Sequence, residues 1–181
     1  RGALWVRAVV GRAAGLVLTS VAGQGPELKA KAVRVTGARL AALGMELAEV
    51  VEVAHEEAAI AAALPGLSGD MALILTGSAT SDLYDIAPQA VRRAGGHVQR
   101  FGMPVDPGNL LFLGDLAGRP VLGLPGCARS PALNGADWVL ERLACGLVVT
   151  DDDIAAMGVG GLLKEIPSRP MMREGRLKKD G

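Results

Sequence analysis

Apolar runs alternate with helical patterns along the chain, and this alternation predicts an α/β domain. Two short runs are almost continuously apolar, Ala14–Thr19 and Met71–Thr76. Such runs are typical of strands that are buried on both faces of a parallel sheet. We therefore expect both strands to be central in a three-layer α/β/α sandwich with a doubly wound, mostly parallel sheet.

The other elements follow from periodicity and from the residues that stop helices. Predicted helices cover Leu28–Leu43, His55–Leu64, Ile86–Ala94, Pro131–Cys145 and Asp151–Met157. Further predicted strands cover Met45–Ala54, His97–Phe101, Leu110–Leu113 and Val121–Leu124. Ligands of such sheets bind outside the carboxyl ends of the strands. The loops that follow Thr19, Thr76 and Leu124 are therefore where a functional site is expected.

Composition narrows the class of protein. The chain has 181 residues, 50% of them hydrophobic and only 3% aromatic, so we expect one core of small aliphatic side chains. Nineteen basic and nineteen acidic residues give no net charge, and hence no argument for nucleic acid or membrane as a partner. Cys127 and Cys145 fit no metal or redox spacing, so a reducing, cytoplasmic setting is the simplest interpretation.

The two ends of the chain differ from its middle. After Ile166 the composition changes to Pro, Met, Arg, Lys and Gly, which is typical of a linker or tail. We expect an incoming segment over 1–11, one domain over 12–166 and a linker or tail over 167–181. Because the chain begins at Arg1 without an initiator Met, it is expected to be a piece of a longer chain.

The loop Gly77–Asp85 is the most informative of the three, since it joins a buried strand to a helix. A glycine and backbone N–H groups near a helix start are suited to hold a phosphate, and hydroxyls are supplied by Ser78, Thr80 and Ser81. Asp82 and Asp85 are the residue type that holds Mg²⁺ beside a phosphate. Spacing alone favours Asp85 as the N-cap of the next helix, and both interpretations stay open.

The loop Pro125–Ser130 leads into the last long helix. Ser130 followed by Pro131 is the usual pattern of an N-cap with proline in the first turn. Arg129 stands just before that predicted start, where a guanidinium can clamp a phosphate. A solvated arginine is the alternative interpretation.

Other charged or reactive side chains carry weaker signals. Cations at the start of the first long helix oppose its dipole unless an anion binds nearby; they are Lys29, Lys31 and Arg34. His55 and His97 fit no metal spacing and lie outside the three loops, so neither is expected in the site. Cys127 has no evident histidine partner and is expected to be inert.

With these loops in view, the chain resembles the molybdopterin-binding domain of molybdenum-cofactor biosynthesis proteins. TGSATSDLYDIAPQAV is similar to the family pattern Thr-Gly-Gly-x-Ser-x-Gly-x-x-Asp, and it places Gly77, Thr80 and Asp85 on the family's Gly, Ser and Asp. FGMPVDPGNLLFLGDLAGRPVLGLPGCARSP is similar to a second family signature, with Pro107-Gly108 and Leu124-Pro125-Gly126 in the family's places. The order of these motifs in their strand-loop-helix context makes the combination fairly specific.

The resemblance implies both a fold and a function. It implies the molybdopterin-binding fold, and binding of molybdopterin or the molybdenum cofactor through its phosphate during cofactor biosynthesis. Asp85 would hold Mg²⁺, and Asp82 and Asp85 are the catalytic candidates. The ligand-binding candidates are Thr19, Ser20, Gly77, Ser78, Thr80, Ser81, Pro125, Gly126, Arg129 and Ser130. PGCARSP and GVGGLLKEIPSRP look most like the subgroup in which this domain precedes a nucleotidyltransferase domain.

The chain departs from the family pattern at several positions. The family's second Gly is Ser78, its later Gly is Asp82, and the Asn-Pro of the third loop is Cys127-Ala128. These changes keep the phosphate cradle but weigh against adenylyl transfer and molybdate insertion. Whether the chain is an enzyme, which would be a transferase of this pathway, stays open.

Two alternatives share this fold. One is a metal-dependent nucleotide pyrophosphatase-like hydrolase of the competence-damage family, with Asp82 and Asp85 serving its metal. The other is a non-catalytic interaction domain. In the favoured interpretation the ligand is a pterin, homo-oligomers are compatible with the sequence, and neither nucleic acid nor membrane is expected as a partner.

Overall fold

The computed structural model describes residues 5–158 and the backbone of 161–162. Its strands are β1 (Ala13–Ser20), β2 (Glu46–Ala54), β3 (Met71–Leu75), β4 (His97–Phe101), β5 (Val105–Asp106), β6 (Phe112–Leu116), β7 (Arg119–Leu124) and β8 (Gly161–Leu162). Its helices are α1 (Pro26–Ala42), α2 (Glu57–Ala63), α3 (Ile86–Arg93), α4 (Gly135–Ala144) and α5 (Asp151–Ala155), with a 3₁₀ turn over Gly126–Arg129.

Six strands form one mixed sheet in the order β2-β1-β3-β7-β6-β4. The pairs β1–β2, β1–β3 and β3–β7 are parallel, whereas β6 runs antiparallel to both of its neighbours. β1 and β3 are therefore interior strands, as their apolar runs predict, and every residue of β3 is buried. β5 and β8 form a separate short parallel pair.

Helices cover both faces of the sheet. On one face α1, α4 and α5 pack over strand residues such as Leu16, Leu73 and Leu122. On the other face α2 and α3 pack over Val17 and Ile74. Neighbouring residues of one strand thus belong to different cores, because side chains alternate between the two faces of a sheet. The expected three-layer α/β/α sandwich with a mostly parallel sheet is confirmed.

The hairpin between β6 and β7 closes through a two-residue turn. Leu116 pairs with Arg119, and the intervening Ala117 and Gly118 both have positive φ, 53° and 80°. Two consecutive positive φ values are typical of a type I′ turn, whose twist matches that of antiparallel strands. The turn lies at the amino end of β7, on the side of the sheet away from the three candidate loops.

The last long helix begins later than the sequence predicts. Ser130 does not cap it; the chain makes a 3₁₀ turn first, and α4 begins at Gly135 with Asn134 as its N-cap. Asn134 and Asp137 form a capping box, which satisfies two backbone N–H groups reciprocally and outweighs the Ser-Pro signal.

In the part of the chain described, no helix is long and apolar enough to cross a membrane. The predicted tail 167–181 and the first four residues of the predicted incoming segment lie outside the described residues.

Candidate functional site

The three candidate loops meet at the carboxyl edge of the sheet. Leu18 of β1 is in register with Leu75 of β3, and Leu75 with Leu124 of β7. Because these parallel strands end at the same level, the segments that follow them lie side by side. The sheet therefore brings together the loops in which the sequence predicts a functional site.

Thr19 connects the ends of three strands. It is only 1% exposed, and its hydroxyl accepts a hydrogen bond from the Gly77 backbone N–H at 2.8 Å. The same hydroxyl lies 2.9 Å from Nδ1 of His55, just beyond the carboxyl end of β2. Thr19 was expected to bind ligand directly; the structure places its hydroxyl beneath the loop, where it holds neighbouring segments.

Gly77 is held tightly against the first loop. The Gln24 side chain donates to the Gly77 carbonyl at 2.7 Å. A Cβ at position 77 would lie 2.9 Å from the Thr19 carbonyl oxygen and 3.0 Å from the Val21 nitrogen. Those distances are too short for a side chain, so glycine is required here by close approach of the two loops.

Asp85 acts as the N-cap of α3. One carboxylate oxygen accepts from the Ile86 N–H at 2.7 Å, and the other accepts from the N–H and hydroxyl of Ser81 at 2.9 and 3.2 Å. Desolvation raises the pKa of Asp85, but the hydrogen bonds from Ser81 and Ile86 outweigh it, so the pKa lies below its ordinary value. Asp85 is therefore held as a carboxylate by the loop.

The exposed side of this loop carries donors suited to an anion. Ser78, Ala79 and Thr80 each have a backbone N–H that donates to no residue in the described part of the chain. Ser78 and Ser81 are exposed. Backbone N–H groups without an internal partner are free to donate to a bound anion, and such groups near a helix start favour one.

Arg129 joins the third loop to the second. Its guanidinium is half-buried and donates to the Thr76 carbonyl at 2.6 Å and, more weakly, to the Gly126 carbonyl at 3.4 Å. Burial lowers the pKa of Arg129, but arginine stays protonated in proteins. Arg129 is thus a half-buried cation bonded to backbone carbonyls of both loops, and not the solvated arginine of the alternative interpretation.

Arg39 of α1 holds the third loop in place through several hydrogen bonds, a role that the sequence did not indicate. It donates to the carbonyls of Ala128, Ser130 and Ala132 at 2.7, 2.8 and 3.0 Å, and it pairs with the Asp137 carboxylate. Arginine can do this because its guanidinium presents five donors in a fixed plane. An arginine within an amphipathic helix gives no sequence signal that separates this role from ordinary exposure.

Other predicted site residues lie in less direct positions. Thr80 is buried, with its hydroxyl 3.4 Å from that of Thr76. Ser20 is half-buried at the end of β1. Pro125 is buried, and the carbonyl of Ser130 is occupied by Arg39. Asp82 is exposed and accepts from the Tyr84 N–H at 2.7 Å.

His55 is expected from the sequence to lie outside the site, but the structure places its ring against Thr19 at the same edge of the sheet. It lies two residues before α2 and outside the three predicted loops, yet its half-buried ring contacts Thr19 at the carboxyl edge. His55 follows β2, which lies beside β1 and parallel to it, so His55 reaches the same edge of the sheet as the residues that follow β1. The position of β2 in the sheet could not be predicted from the sequence.

Metal-binding groups are sparse. Among residues 5–158, no group of three or more His, Cys, Asp or Glu side chains is arranged to hold a metal ion. Cys127 is exposed, and its sulfur accepts from the Asn134 side-chain amide at 3.1 Å.

Comparison with known proteins finds similarity in structure. No protein-family model matches the chain, and no curated protein matches it. Thirty-one chains of solved structures do match. One is the molybdopterin biosynthesis MoeA protein from Pyrococcus horikosii, with a TM-score of 0.54, 21% identity, and coverage of 75% of this chain and 36% of that one. The chain therefore has an α/β fold like that found in this MoeA protein and spans just over a third of its length.

Proposed function

We propose that this chain binds a phosphorylated pterin, molybdopterin or the molybdenum cofactor, as part of molybdenum-cofactor biosynthesis. The phosphate would lie against the loop Gly77–Asp85, at the carboxyl edge of the sheet. The observation that carries the proposal is the convergence there of unpaired backbone donors and a half-buried arginine. The fold shared with a molybdopterin biosynthesis protein supports the choice of ligand.

Local donors are needed because the chain as a whole does not attract anions. Its basic and acidic residues are equal in number, so long-range attraction is weak. The N–H groups of Ser78, Ala79 and Thr80 provide partial positive charge at fixed positions. Such preorganised donors bind a phosphate without a cost for reordering the loop.

Arg129 would supply the full positive charge of the site. Two of its donors are used by carbonyls that join the loops, and a guanidinium has five. The remaining donors would be available to a phosphate while the loop contacts stay in place. We therefore assign Arg129 both a structural and a binding contribution.

Magnesium is a separate part of the proposal. Mg²⁺ usually binds through one or two carboxylates together with substrate phosphate and waters. Asp85 and Asp82 are the candidate ligands, and each already accepts hydrogen bonds within the loop. The ion would bind with the phosphate rather than before it.

Catalysis and assembly go beyond this binding role. Asp82 and Asp85 stay the candidates for a catalytic carboxylate, in a transferase of this pathway. A downstream nucleotidyltransferase domain, which the motifs PGCARSP and GVGGLLKEIPSRP indicate, and self-association are further parts of the proposal.

The binding proposal is tested by titrating the chain with a pterin monophosphate and following pterin fluorescence. Arg129→Ala removes a charge-assisted hydrogen bond worth on the order of 1.5–3 kcal/mol, so we expect binding to weaken roughly ten- to a hundredfold. The control is Arg119→Ala, since Arg119 is also half-buried and bonded to backbone carbonyls, but at the opposite edge of the sheet.

Three results would contradict the proposal. The first is equal affinity of wild type and Arg129→Ala. The second is equal loss of affinity in Arg119→Ala, since that would show a general effect on stability. The third is equal affinity for the pterin with and without its phosphate, which would place recognition elsewhere.

A further inference from the structure

We propose that His55 is a positioning residue of this site, and that it acts through the Thr19 hydroxyl on the loop that begins at Gly77. The inference deepens the proposed function and rests on it for its binding consequences. Its physical basis is the chain of contacts from His55 Nδ1 to Thr19 Oγ1 at 2.9 Å and from Thr19 Oγ1 to the Gly77 N–H at 2.8 Å.

The first step concerns the hydroxyl proton of Thr19. A threonine hydroxyl donates one hydrogen bond and can accept two. The Gly77 N–H can only donate, so Thr19 accepts there. In the part of the chain described, His55 Nδ1 is the other side-chain partner of the hydroxyl. Because Thr19 is buried, its proton needs an acceptor inside the protein, and Nδ1 is the group placed to accept it.

The second step concerns the tautomer of the ring. If Nδ1 accepts from Thr19, it carries no proton, and Nε2 carries the proton of the neutral imidazole. His55 is then locked as an Nε2–H donor. A ring held this way keeps the Thr19 hydroxyl oriented, with its lone pair facing Gly77.

The third step connects this orientation to the phosphate loop. The Gly77 N–H precedes the unpaired N–H groups of Ser78, Ala79 and Thr80. Gly77 is also fixed on its carbonyl side by Gln24. Loss of the Thr19 contact would therefore leave the Gly77 N–H unbonded at the start of the loop. The N–H groups that follow Gly77 would then no longer be held in position.

A test without ligand examines the contact chain itself. We expect ¹⁵N NMR at pH 8 to show Nδ1 of His55 unprotonated and Nε2 protonated. We also expect His55→Ala to speed hydrogen exchange of the Gly77 amide about tenfold, the change that loss of a net hydrogen-bond contribution near 1.4 kcal/mol would give. His55→Asn, which places a side-chain oxygen or nitrogen near the position of Nδ1, is expected to restore much of the protection.

A binding test uses the same variants with the pterin monophosphate. His55→Ala and Thr19→Val are each expected to weaken binding about tenfold, and the double variant no further than either single one, because both break the same contact. Thr19→Ser keeps the hydroxyl and is expected to bind like wild type. The control is His97→Ala, since His97 is the chain's other histidine and is exposed on β4.

The outcomes separate this inference from the proposed function. If wild type binds the pterin monophosphate and His55→Ala binds it equally well, the positioning role fails and the binding function stands. If wild type does not bind, the proposed function fails, and the tautomer and Gly77 exchange decide the inference alone. A proton on Nδ1, unchanged exchange in His55→Ala, or additive losses in the double variant would each overturn it.

Discussion

The two edges of the parallel strands differ in how their polar groups are used. At the amino edge, the Asp70 carboxylate accepts from the backbone N–H groups of Arg12 and Ala13. The Arg119 guanidinium donates to the carbonyls of Leu64 and Leu67. At the carboxyl edge, side chains also bond to backbone, but consecutive N–H groups after Gly77 have no partner in the described chain.

This difference indicates which edge of the sheet has hydrogen-bond donors available for a ligand. The charged groups of the amino edge hold the loop before β3 and the start of β1 in place. The carboxyl edge uses the same kind of interaction, through Thr19 and Arg129, to hold a loop in which consecutive backbone N–H groups have no partner in the described chain. We call the amino edge the closed edge, because its charged side chains bond to backbone groups. We call the carboxyl edge the open edge, because backbone N–H groups there have no partner in the described chain.

The largest effect is expected at the closed edge, from Gly15→Ala. A Cβ at position 15 would lie 2.4 Å from both the Leu67 side chain and the Ser68 carbonyl oxygen. Overpacking against backbone in a strand interior should lower the free energy of unfolding by about 3 kcal/mol, measurable by urea denaturation. Pterin affinity of the folded fraction should stay unchanged. A selective loss of affinity at full stability would contradict the assignment of this edge to structure.

The next largest effect is expected from Gly77→Ala at the open edge. The new methyl would meet the backbone of the first loop, so we expect a loss of roughly 1–3 kcal/mol in stability together with loss of pterin binding. Gly66→Ala is the matched control, since a Cβ there would meet no atom within 4 Å and Gly66 lies outside the three candidate loops. Normal pterin binding by Gly77→Ala would show that close contact between the loops is unnecessary.

The smallest effect compares one carboxylate from each edge in acid. Backbone hydrogen bonds from Arg12 and Ala13 lower the pKa of Asp70. For Asp85, desolvation raises the pKa, but hydrogen bonds from Ser81 and Ile86 outweigh it and the net shift is downward. A lowered pKa in the folded state stabilises the fold above the unfolded-state value near 3.9, and this contribution is lost as the pH falls through the folded-state pKa.

Asp70→Asn and Asp85→Asn should therefore each make the decline of stability below about pH 4 shallower, as urea midpoints measured against pH would show. Only Asp85→Asn should weaken pterin binding in the presence of Mg²⁺, because only Asp85 lies in the candidate loop. If calorimetry gives the same affinity for both variants, Asp85 is a helix cap and nothing more.

The sheet was predictable because its interior strands have an unambiguous pattern. Met71–Leu75 is apolar at every position, and only burial on both faces explains such a run. The start of α4 was not predictable in the same way, since Ser130-Pro131 and Asn134 with Asp137 are competing signals only four residues apart. The reciprocal hydrogen bonds that decided between them become visible only when the chain is folded.

The loops of the candidate site could be predicted from the interior strands, whereas their contacts with neighbouring elements could not. Gly77 was singled out because it closely follows a strand with a clear pattern, and Asp85 and Arg129 because their loops lead from a strand into a helix. His55 and Arg39 were missed, since each acts on a loop distant in sequence. Their contacts depend on the position of β2 beside β1 and on the packing of α1 against the third loop. Both are features of the tertiary structure that the sequence pattern does not predict.

The type I′ turn at Ala117 and Gly118 has a consequence for the order of folding. The entropy of closing a loop rises with the number of residues it contains, and the β6–β7 hairpin pairs Phe112 with Gly123 across one short turn. The β1–β3 pair instead joins Ala14 to Met71. A hairpin forms in roughly 1–10 μs, so the β6–β7 pair would be in place before the parallel pairs, whose partners lie much farther apart in the sequence. The Thr19–Gly77 contact requires the parallel strands β1 and β3 together, so the proposed binding site would assemble only after the hairpin has formed.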